Sequence, residues 1–189
     1  MQLIPVFKIG IWNAWIFTVI FLLLPFSLML INKEAYKKLG TPPDMKLSKR
    51  EKVIGHIVNI VCYTAFLYSI FLPFKLGTAW FYIGLFIFLL ALAVLVTVII
   101  NFITTPIDKP VIKGIYGYSR HPGYLSQFLA FIGIGIATAS WIILLVAIIF
   151  FILGNIIANY EERYCKEKYG DTYKEYLSKV PRWIGIPKL

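Results

Sequence analysis

Residues 125–159 read LSQFLAFIGIGIATASWIILLVAIIFFILGNIIAN, two apolar runs separated only by a short stretch around Ser140. The first run, 125–139, is short for a membrane-spanning helix, which needs about 20 apolar residues, and the second, 141–159, qualifies narrowly. Because so few residues separate the two runs, we expect a tight helical hairpin. Its shorter arm would reach the far interface by tilting or by local thinning of the bilayer.

Three further uncharged runs precede the hairpin, at 9–31, 53–74 and 79–103, and each is long enough to cross a bilayer. Hydrophobic residues make up 59% of the chain and charged residues only 15%, with a mean hydropathy of +0.77. This composition excludes a soluble globular enzyme and predicts an all-α membrane protein with five transmembrane helices. We interpret residues 1–189 as a single membrane domain, with three N-terminal spans in 1–103 and a loop, the hairpin and a tail in 104–189.

The basic residues predict how the chain is oriented. Of the 19 Lys and Arg, 17 fall in segments 32–52, 104–124 and 160–189, which five spans place on one side. By the positive-inside rule that side is cytoplasmic and the N-terminus lies outside. A four-span arrangement with a re-entrant hairpin, which would put the N-terminus inside, is the alternative. The basic face suits anionic membrane lipids, and no nucleic-acid-binding motif accompanies it.

The segment that follows the third span, TTPIDKPVIKGIYGYSRHPGY at 104–124, predicts a structured loop because Pro and Gly interrupt it throughout. It offers a cation at Arg120, a titratable ring at His121 and three tyrosines within nine residues. Aromatic faces attract cationic ligands, and glycines let a ligand approach the backbone. An interfacial aromatic belt with an arginine reaching toward phosphates explains the same composition equally well.

Paired carboxylates mark the end of the last apolar run. Asn155, Asn159 and Glu162 share one helix face by their i, i+4, i+7 spacing, and Glu161 lies beside them. Acidic groups at a helix C-terminus oppose the helix dipole, so we expect a compensating cation. Arg163 and a cationic ligand are the two candidates, and a simple solvated helix end is the alternative to both.

The tail predicts a second, amphipathic helix after Gly170. Thr172–Glu175 matches a capping box that would begin this helix, and Pro181 would end it. We expect the helix to lie flat on the membrane surface and to close over the loop. The apolar face consists of Tyr169, Tyr173, Tyr176, Leu177 and Val180.

Two stretches together carry a family resemblance, GIYGYSRHPGY at 114–124 and EERYCKEKYGDTYKEYLSKVPRWIGIP at 161–187. They resemble the integral membrane methyltransferases related to isoprenylcysteine carboxyl methyltransferase and the phospholipid methyltransferases. The shared pattern is an Arg-His-Pro-x-Tyr loop, a helical hairpin, a Glu-Glu pair, a Gly-x-x-Tyr-x-x-Tyr element and a Val-Pro end. The resemblance implies methyl transfer from S-adenosylmethionine to a lipid-like or prenylated small substrate, with S-adenosylhomocysteine as the product.

The resemblance also implies which residues form the site. Catalytic roles fall on Arg120 and Glu162. In prenylcysteine-methylating members an arginine precedes the glutamate pair by one turn and binds the substrate carboxylate, whereas this chain has Ile157. The acceptor therefore stays open among a carboxylate, an amine head group and another lipophilic nucleophile. The implied cofactor contacts are Asp108, Lys109, Pro110, Val111, Tyr116, His121, Pro122, Gly123, Tyr124 and Glu161.

Two other classes of protein fit part of the sequence. Sterol reductases have a similar tail, echoed here by Glu162, Arg163, Cys165 and KYG at 168–170, and would use NADPH. Five spans, however, leave little room for a sterol pocket. A non-catalytic adaptor would use the basic face to recruit lipids or proteins. We expect no metal site, because no Cys/His cluster has metal-ligand spacing.

Overall fold

A computed structural model of the chain describes residues 8–33, 45–106 and 108–188. In these ranges the chain forms six α-helices and one short 3-10 turn, and no strand is present, as an all-α protein requires. The 3-10 turn spans Gly114–Gly117. The helices are α1 (Trp15–Ile31), α2 (Lys49–Ser69), α3 (Ala79–Thr104), α4 (Pro122–Ala137), α5 (Trp141–Tyr169) and α6 (Asp171–Lys179).

Three of the helices, α2, α3 and α5, are long and apolar enough to cross a membrane. α1 and α4 are apolar but shorter, at 17 and 16 residues. Three of the five predicted spans therefore correspond to helices that could cross the membrane, and crossing by α1 and α4 stays a prediction. Residues 34–44, which belong to the basic segment predicted between the first two spans, lie outside the described residues.

The predicted helical hairpin is present, formed by α4 and α5. α4 ends at Ala137 and α5 begins at Trp141, so only three residues connect them. Within this link the Ser140 N–H donates to the Gly135 carbonyl at 2.8 Å. Ala139 adopts a positive φ of 54°, a conformation uncommon for a residue with a side chain, which lets the chain reverse this abruptly.

Glycines bring α4 into close contact with α3. A Cβ atom at Gly84 would lie 2.6 Å from the Gly133 carbonyl oxygen, and one at Gly133 would lie 2.8 Å from the Phe88 nitrogen. Real Cβ atoms do not approach backbone atoms this closely, so larger residues would force the two helices apart. Although α4 is short, it lies at the centre of the core, packed between α3 and α5.

The helices alternate between two ends of the molecule. At the end that we call the hairpin end, backbone bonds join three segments: Phe74 N–H to the Trp12 carbonyl at 3.0 Å, and Lys75 N–H to the Ala137 carbonyl at 2.9 Å. The opposite end, the site end, holds the last turn of α3, the loop residues 105–106 and 108–121, the start of α4, the end of α5, and α6 with the tail that follows it. The two motif stretches therefore meet at one end of the molecule.

The helix α6 begins earlier than the sequence predicted. It starts at Asp171, directly after Gly170, and the capping box predicted at Thr172–Glu175 does not form, so this prediction was wrong. Gly170 has a positive φ of 59° and occupies the cap position itself. Because glycine tolerates this conformation, the chain turns sharply from α5 into α6 without a side-chain cap. The helix ends at Lys179, ahead of Pro181 as expected.

The apolar face of α6 is buried inside the protein. Tyr173, Tyr176 and Val180 are each no more than 7% exposed. The helix therefore covers the loop as predicted, but this face packs on protein, whereas the sequence predicted contact with the membrane surface. Ile112 of the loop and Cys165 of α5 pack against it, together with Tyr169 and Leu177, the two partly buried residues of the predicted apolar face.

Candidate functional site

The 3-10 turn presents Tyr116 to the site and is held from two sides. The Asn101 side-chain oxygen on α3 accepts a hydrogen bond from the Ile115 N–H at 3.1 Å, and the Tyr176 hydroxyl donates to the Tyr116 carbonyl at 2.7 Å. Gly114 has a φ of 63°, and a Cβ atom there would lie 2.6 Å from the Asn101 oxygen. A larger residue would be strained at this φ and would displace the Asn101 side chain from the Ile115 N–H.

His121 stands at the entrance to α4 and points toward α5. Pro122 occupies the first helical position, where its fixed φ suits the start of a helix. The His121 N–H donates to the Ser119 hydroxyl at 3.2 Å. The buried His121 ring lies between two carboxylates, with Nδ1 3.4 Å from Glu161 Oε2 and Nε2 3.1 Å from Glu162 Oε1.

This placement determines the charge of His121. Burial alone would lower the pKa of the imidazole, but hydrogen bonds to Glu161 and Glu162 and their negative charges outweigh burial and raise it. Each ring nitrogen faces an acceptor, and only the imidazolium has an N–H on both nitrogens. The geometry therefore favours a protonated His121 that donates to both glutamates.

Tyr124 completes the contact between the loop and α5. Its hydroxyl donates to Glu161 Oε1 at 2.7 Å, and its ring centroid lies 5.8 Å from that of His121. The ring rests against Gly154, where a Cβ atom would approach Tyr124 Cδ1 to 3.3 Å. The Glu161 side chain remains 33% exposed, against 7% for Glu162, so Glu161 is the more accessible carboxylate.

Two of the three loop tyrosines belong to this cluster. Burial raises the pKa of the Tyr116 phenol well above its usual range, and nearby Tyr176 and Glu161 raise it further. Tyr116 is therefore neutral at physiological pH. Tyr118, by contrast, is 58% exposed. The family resemblance had selected Tyr116 and Tyr124 and not Tyr118, whereas the composition of the loop alone did not distinguish the three phenols.

The charge of Glu162 is compensated by two arginines other than Arg163, which was one of the two candidates from the sequence. Arg182, in the tail after α6, donates from Nε to Glu162 Oε1 at 3.0 Å and from Nη2 to Oε2 at 2.8 Å. Arg120 Nε lies 3.3 Å from Oε1. Arg163 instead binds Glu51 of α2 at 2.9 Å, because the next residue along a helix points about 100° away. A compensating cation is therefore present as expected, but of the two candidates Arg163 does not supply it.

The remaining predicted contacts lie in the loop and at the start of α4. In the range 108–111 the first two residues are exposed and the last two partly buried. The Lys109 N–H closes a turn on the Pro106 carbonyl at 3.1 Å. Gly123 has open space where a side chain would stand. That these residues contact a cofactor stays a prediction.

Four residues that shape the site were not singled out from the sequence. Asn101 and Gly154 have no motif that marks them, and the sequence places the Val-Pro end of the tail without indicating what it contacts. Trp183 lies 4.6 Å from Phe151 and 6.2 Å from His121 between ring centroids. The four missed residues are Asn101, Gly154, Arg182 and Trp183.

Comparison with known families agrees with this arrangement. Residues 72–172, more than half of the chain, match the family model described as phospholipid methyltransferase. The chain belongs to the phospholipid methyltransferase family. This membership confirms the resemblance inferred from the two motif stretches, and together with the three long apolar helices it supports a membrane methyltransferase. A search of curated proteins finds no match to the chain.

The matched region of this family member contains most of the cluster but not all of it. His121, Tyr124, Glu161 and Glu162 lie within 72–172. Arg182 and Trp183 lie beyond its end, in the tail. The site end therefore combines side chains of the family region with side chains from a segment that the family match does not cover.

Proposed function

We propose that this family member transfers a methyl group from S-adenosylmethionine to a lipophilic substrate at the cytoplasmic face of the membrane. The observation that carries the proposal is the contact of His121 with both Glu161 and Glu162, at 3.4 and 3.1 Å. The loop motif and the carboxylate pair, separated by the whole hairpin in sequence, thus form one polar cluster at the end of apolar helices. A water-soluble cofactor and a bilayer-borne acceptor could meet there.

The residues of the cluster fit the chemistry of S-adenosylmethionine, which carries a sulfonium, an ammonium and a carboxylate. The partly exposed Glu161 carboxylate suits the ammonium or the ribose hydroxyls. The ring faces of Tyr116 and Tyr124 suit the sulfonium. Lys113, exposed beside the 3-10 turn, and Arg120 are the cations available to the cofactor's carboxylate.

When bound, the cofactor supplies an electrophilic methyl group, and an in-line displacement then depends mainly on orientation. The geometry supports orienting roles for His121 and Glu162. A His121 ring that donates from both nitrogens has no lone pair to accept a proton, and Glu162 is already paired with Arg182. An ionised acceptor such as a carboxylate needs no base. An amine acceptor would pass its proton to Glu161 or to water.

The acceptors that the proposal leaves open are a prenylated cysteine carboxylate, the amine head group of a phospholipid and another small lipophilic nucleophile. Ile157 stands where prenylcysteine-methylating members have their substrate arginine, which argues against the prenylated cysteine. Incubating the purified protein with labelled S-adenosylmethionine and total membrane lipid, and in parallel with a prenylated cysteine, identifies the acceptor from the molecule that becomes labelled.

Cofactor binding tests the site directly. We expect His121→Ala and Glu161→Ala each to weaken S-adenosylhomocysteine binding by about 1.5–3 kcal/mol, the cost of a lost charged hydrogen bond. Titration calorimetry of the detergent-purified protein measures this. The exposed residues His56 and Glu175 provide matched controls, and His56→Ala and Glu175→Ala should leave the affinity unchanged.

The calorimetric affinities, together with thermal protection by each cofactor, separate the proposal from its rivals. Unchanged affinity in both site variants would remove the site assignment. Thermal protection by NADPH but not by S-adenosylhomocysteine would favour a reductase, and protection by neither would favour a non-catalytic adaptor.

A further inference from the structure

The tail that follows α6 is fixed beside the loop by its backbone. The Arg120 N–H donates to the Pro181 carbonyl at 3.1 Å, and the Gly185 N–H donates to the Tyr118 carbonyl at 3.1 Å. Neither bond involves the side chain of Arg182. The backbone of Arg182 is therefore held at the site whatever side chain this position carries.

The Arg182 side chain lies across the buried Glu162 carboxylate. Its Nε and Nη2 atoms donate to the two oxygens at 3.0 and 2.8 Å, a bidentate pair that fixes the plane of the carboxylate. Its Nη1 atom donates to Asn155 Oδ1, two turns earlier on α5, at 3.1 Å. The guanidinium is thus fixed by two residues of α5, Glu162 and Asn155, and the Arg182 side chain is 24% exposed.

Arg120 does not duplicate this role. Its Nε is buried and lies 3.3 Å from Glu162 Oε1 without forming a hydrogen bond, and its Nη1 donates to the Leu177 carbonyl at 3.2 Å. Glu162 Oε1, which accepts from Arg182 Nε, is also the oxygen that contacts His121 Nε2. The orientation that Arg182 imposes on Glu162 therefore reaches the His121 ring directly.

We propose that Arg182 is a positioning residue of the methyl-transfer site, which holds Glu162 so that Glu161 and Glu162 contact His121 from both sides. The inference rests on the proposed function and adds a residue outside the matched region 72–172. Without the guanidinium, Glu162 can rotate toward Arg120, and His121 loses a fixed partner on one ring nitrogen.

A double-mutant cycle tests this role. The variants are Arg182→Gln, Glu162→Gln and the pair, with S-adenosylhomocysteine affinity and the KM values of cofactor and acceptor as readouts. We expect Arg182→Gln to weaken cofactor affinity at least about tenfold, the effect of one charge-assisted hydrogen bond. In the Glu162→Gln background it should add less than roughly twofold, because the partner through which it acts is already neutral.

Arg182→Lys and Arg163→Gln complete the experiment. Lysine keeps the positive charge but cannot form the bidentate pair with Glu162. The cofactor affinity of Arg182→Lys should therefore lie between those of the wild type and Arg182→Gln. Should Arg182→Gln fail to fold, the same cycle is run with Arg182→Lys. Arg163→Gln breaks the neighbouring Arg163–Glu51 pair, which does not contact His121, and should leave cofactor affinity unchanged.

The outcomes are distinguishable from those of the proposed function. A raised cofactor KM with an unchanged acceptor KM, together with non-additive effects, supports the role. A folded Arg182→Gln protein with wild-type cofactor affinity and turnover would overturn it. So would an Arg182→Gln substitution that lowers cofactor affinity equally in the wild-type and Glu162→Gln proteins. If the wild-type protein does not bind S-adenosylhomocysteine at all, the proposed function fails first, and this inference falls with it.

Discussion

The hairpin end and the site end of the molecule both bury polar groups beside apolar helices, but with different chemistry. At the hairpin end the groups are neutral: the Thr18 and Ser69 hydroxyls lie 2.6 Å apart, and the Asn13 side chain donates to the Ile70 carbonyl at 2.8 Å. At the site end the buried groups are charged, with Glu162 among His121 and two arginines.

The contrast indicates what each end is for. Neutral polar groups need only hydrogen bonds, whereas a buried charge needs a counter-charge as well and contributes little net stability. Buried ionic clusters with shifted pKa values are characteristic of functional sites. We therefore interpret the hairpin end as structural and the site end as the place of chemistry, and the following substitutions test that division.

The largest loss of stability is expected from a substitution at Glu162. Glu162→Ala leaves Arg182 and His121 without their shared acceptor, and removing one partner of a buried ion pair costs about 3–5 kcal/mol. Denaturation of the detergent-purified protein measures the change in stability. Glu175→Ala, which breaks an exposed pair with Lys179, should have little effect. An equal loss of stability in Glu162→Ala and Glu175→Ala would contradict a special role for the buried cluster.

A smaller loss of stability is expected from a substitution at the hairpin end. Ser69→Ala removes one buried hydroxyl, while the Thr18 hydroxyl keeps its bond to the Ala14 carbonyl, so the loss should be about 1 kcal/mol. Cofactor affinity should not change, because the substitution lies at the opposite end of the molecule. Thr97→Val, at an exposed hydroxyl on α3, is the control. A weakened cofactor affinity in Ser69→Ala would show that the two ends are coupled.

The smallest expected effect is a dependence of the melting temperature on pH, which should come from the site end only. The pKa of His121 is raised in the folded state above its unfolded value, although burial opposes the rise. Its stabilising contribution is therefore complete below the unfolded pKa of about 6.5 and is lost as pH rises through the folded pKa. Melting temperatures should fall over that range for wild type and for Ser69→Ala in parallel. His121→Gln should flatten the curve, and an unchanged slope would refute the charged state inferred for His121.

Hydropathy and motif spacing predicted the parts of the fold that depend on local sequence. Lipid requires long apolar helices, so the runs that became α2, α3 and α5 are visible as composition alone. The hairpin follows from two apolar runs with almost nothing between them. The meeting of His121 with the Glu161 and Glu162 pair followed from the family motif, since the spacing by itself did not require it.

The partners of the charged groups could not be predicted, because they depend on which element covers each helix face. Periodicity separates the faces that carry Glu162 and Arg163, but it does not show that α2 covers one and the tail the other. Arg182 lies 20 residues beyond Glu162, across the sharp turn at Gly170. The same turn made the predicted capping box unnecessary.

Gly154 has a consequence for how this site can diversify. Since the Tyr124 ring lies against the backbone of α5 at Gly154, the ring is seated by a residue that carries no functional group of its own. A methyl group added at this position would press on the Tyr124 ring, which would have to shift slightly, while every polar side chain kept its identity. The seating of the Tyr124 ring, and with it the proposed cofactor contact, can therefore be adjusted through the volume of one residue that has no polar group, a route open to laboratory evolution as well as to natural drift.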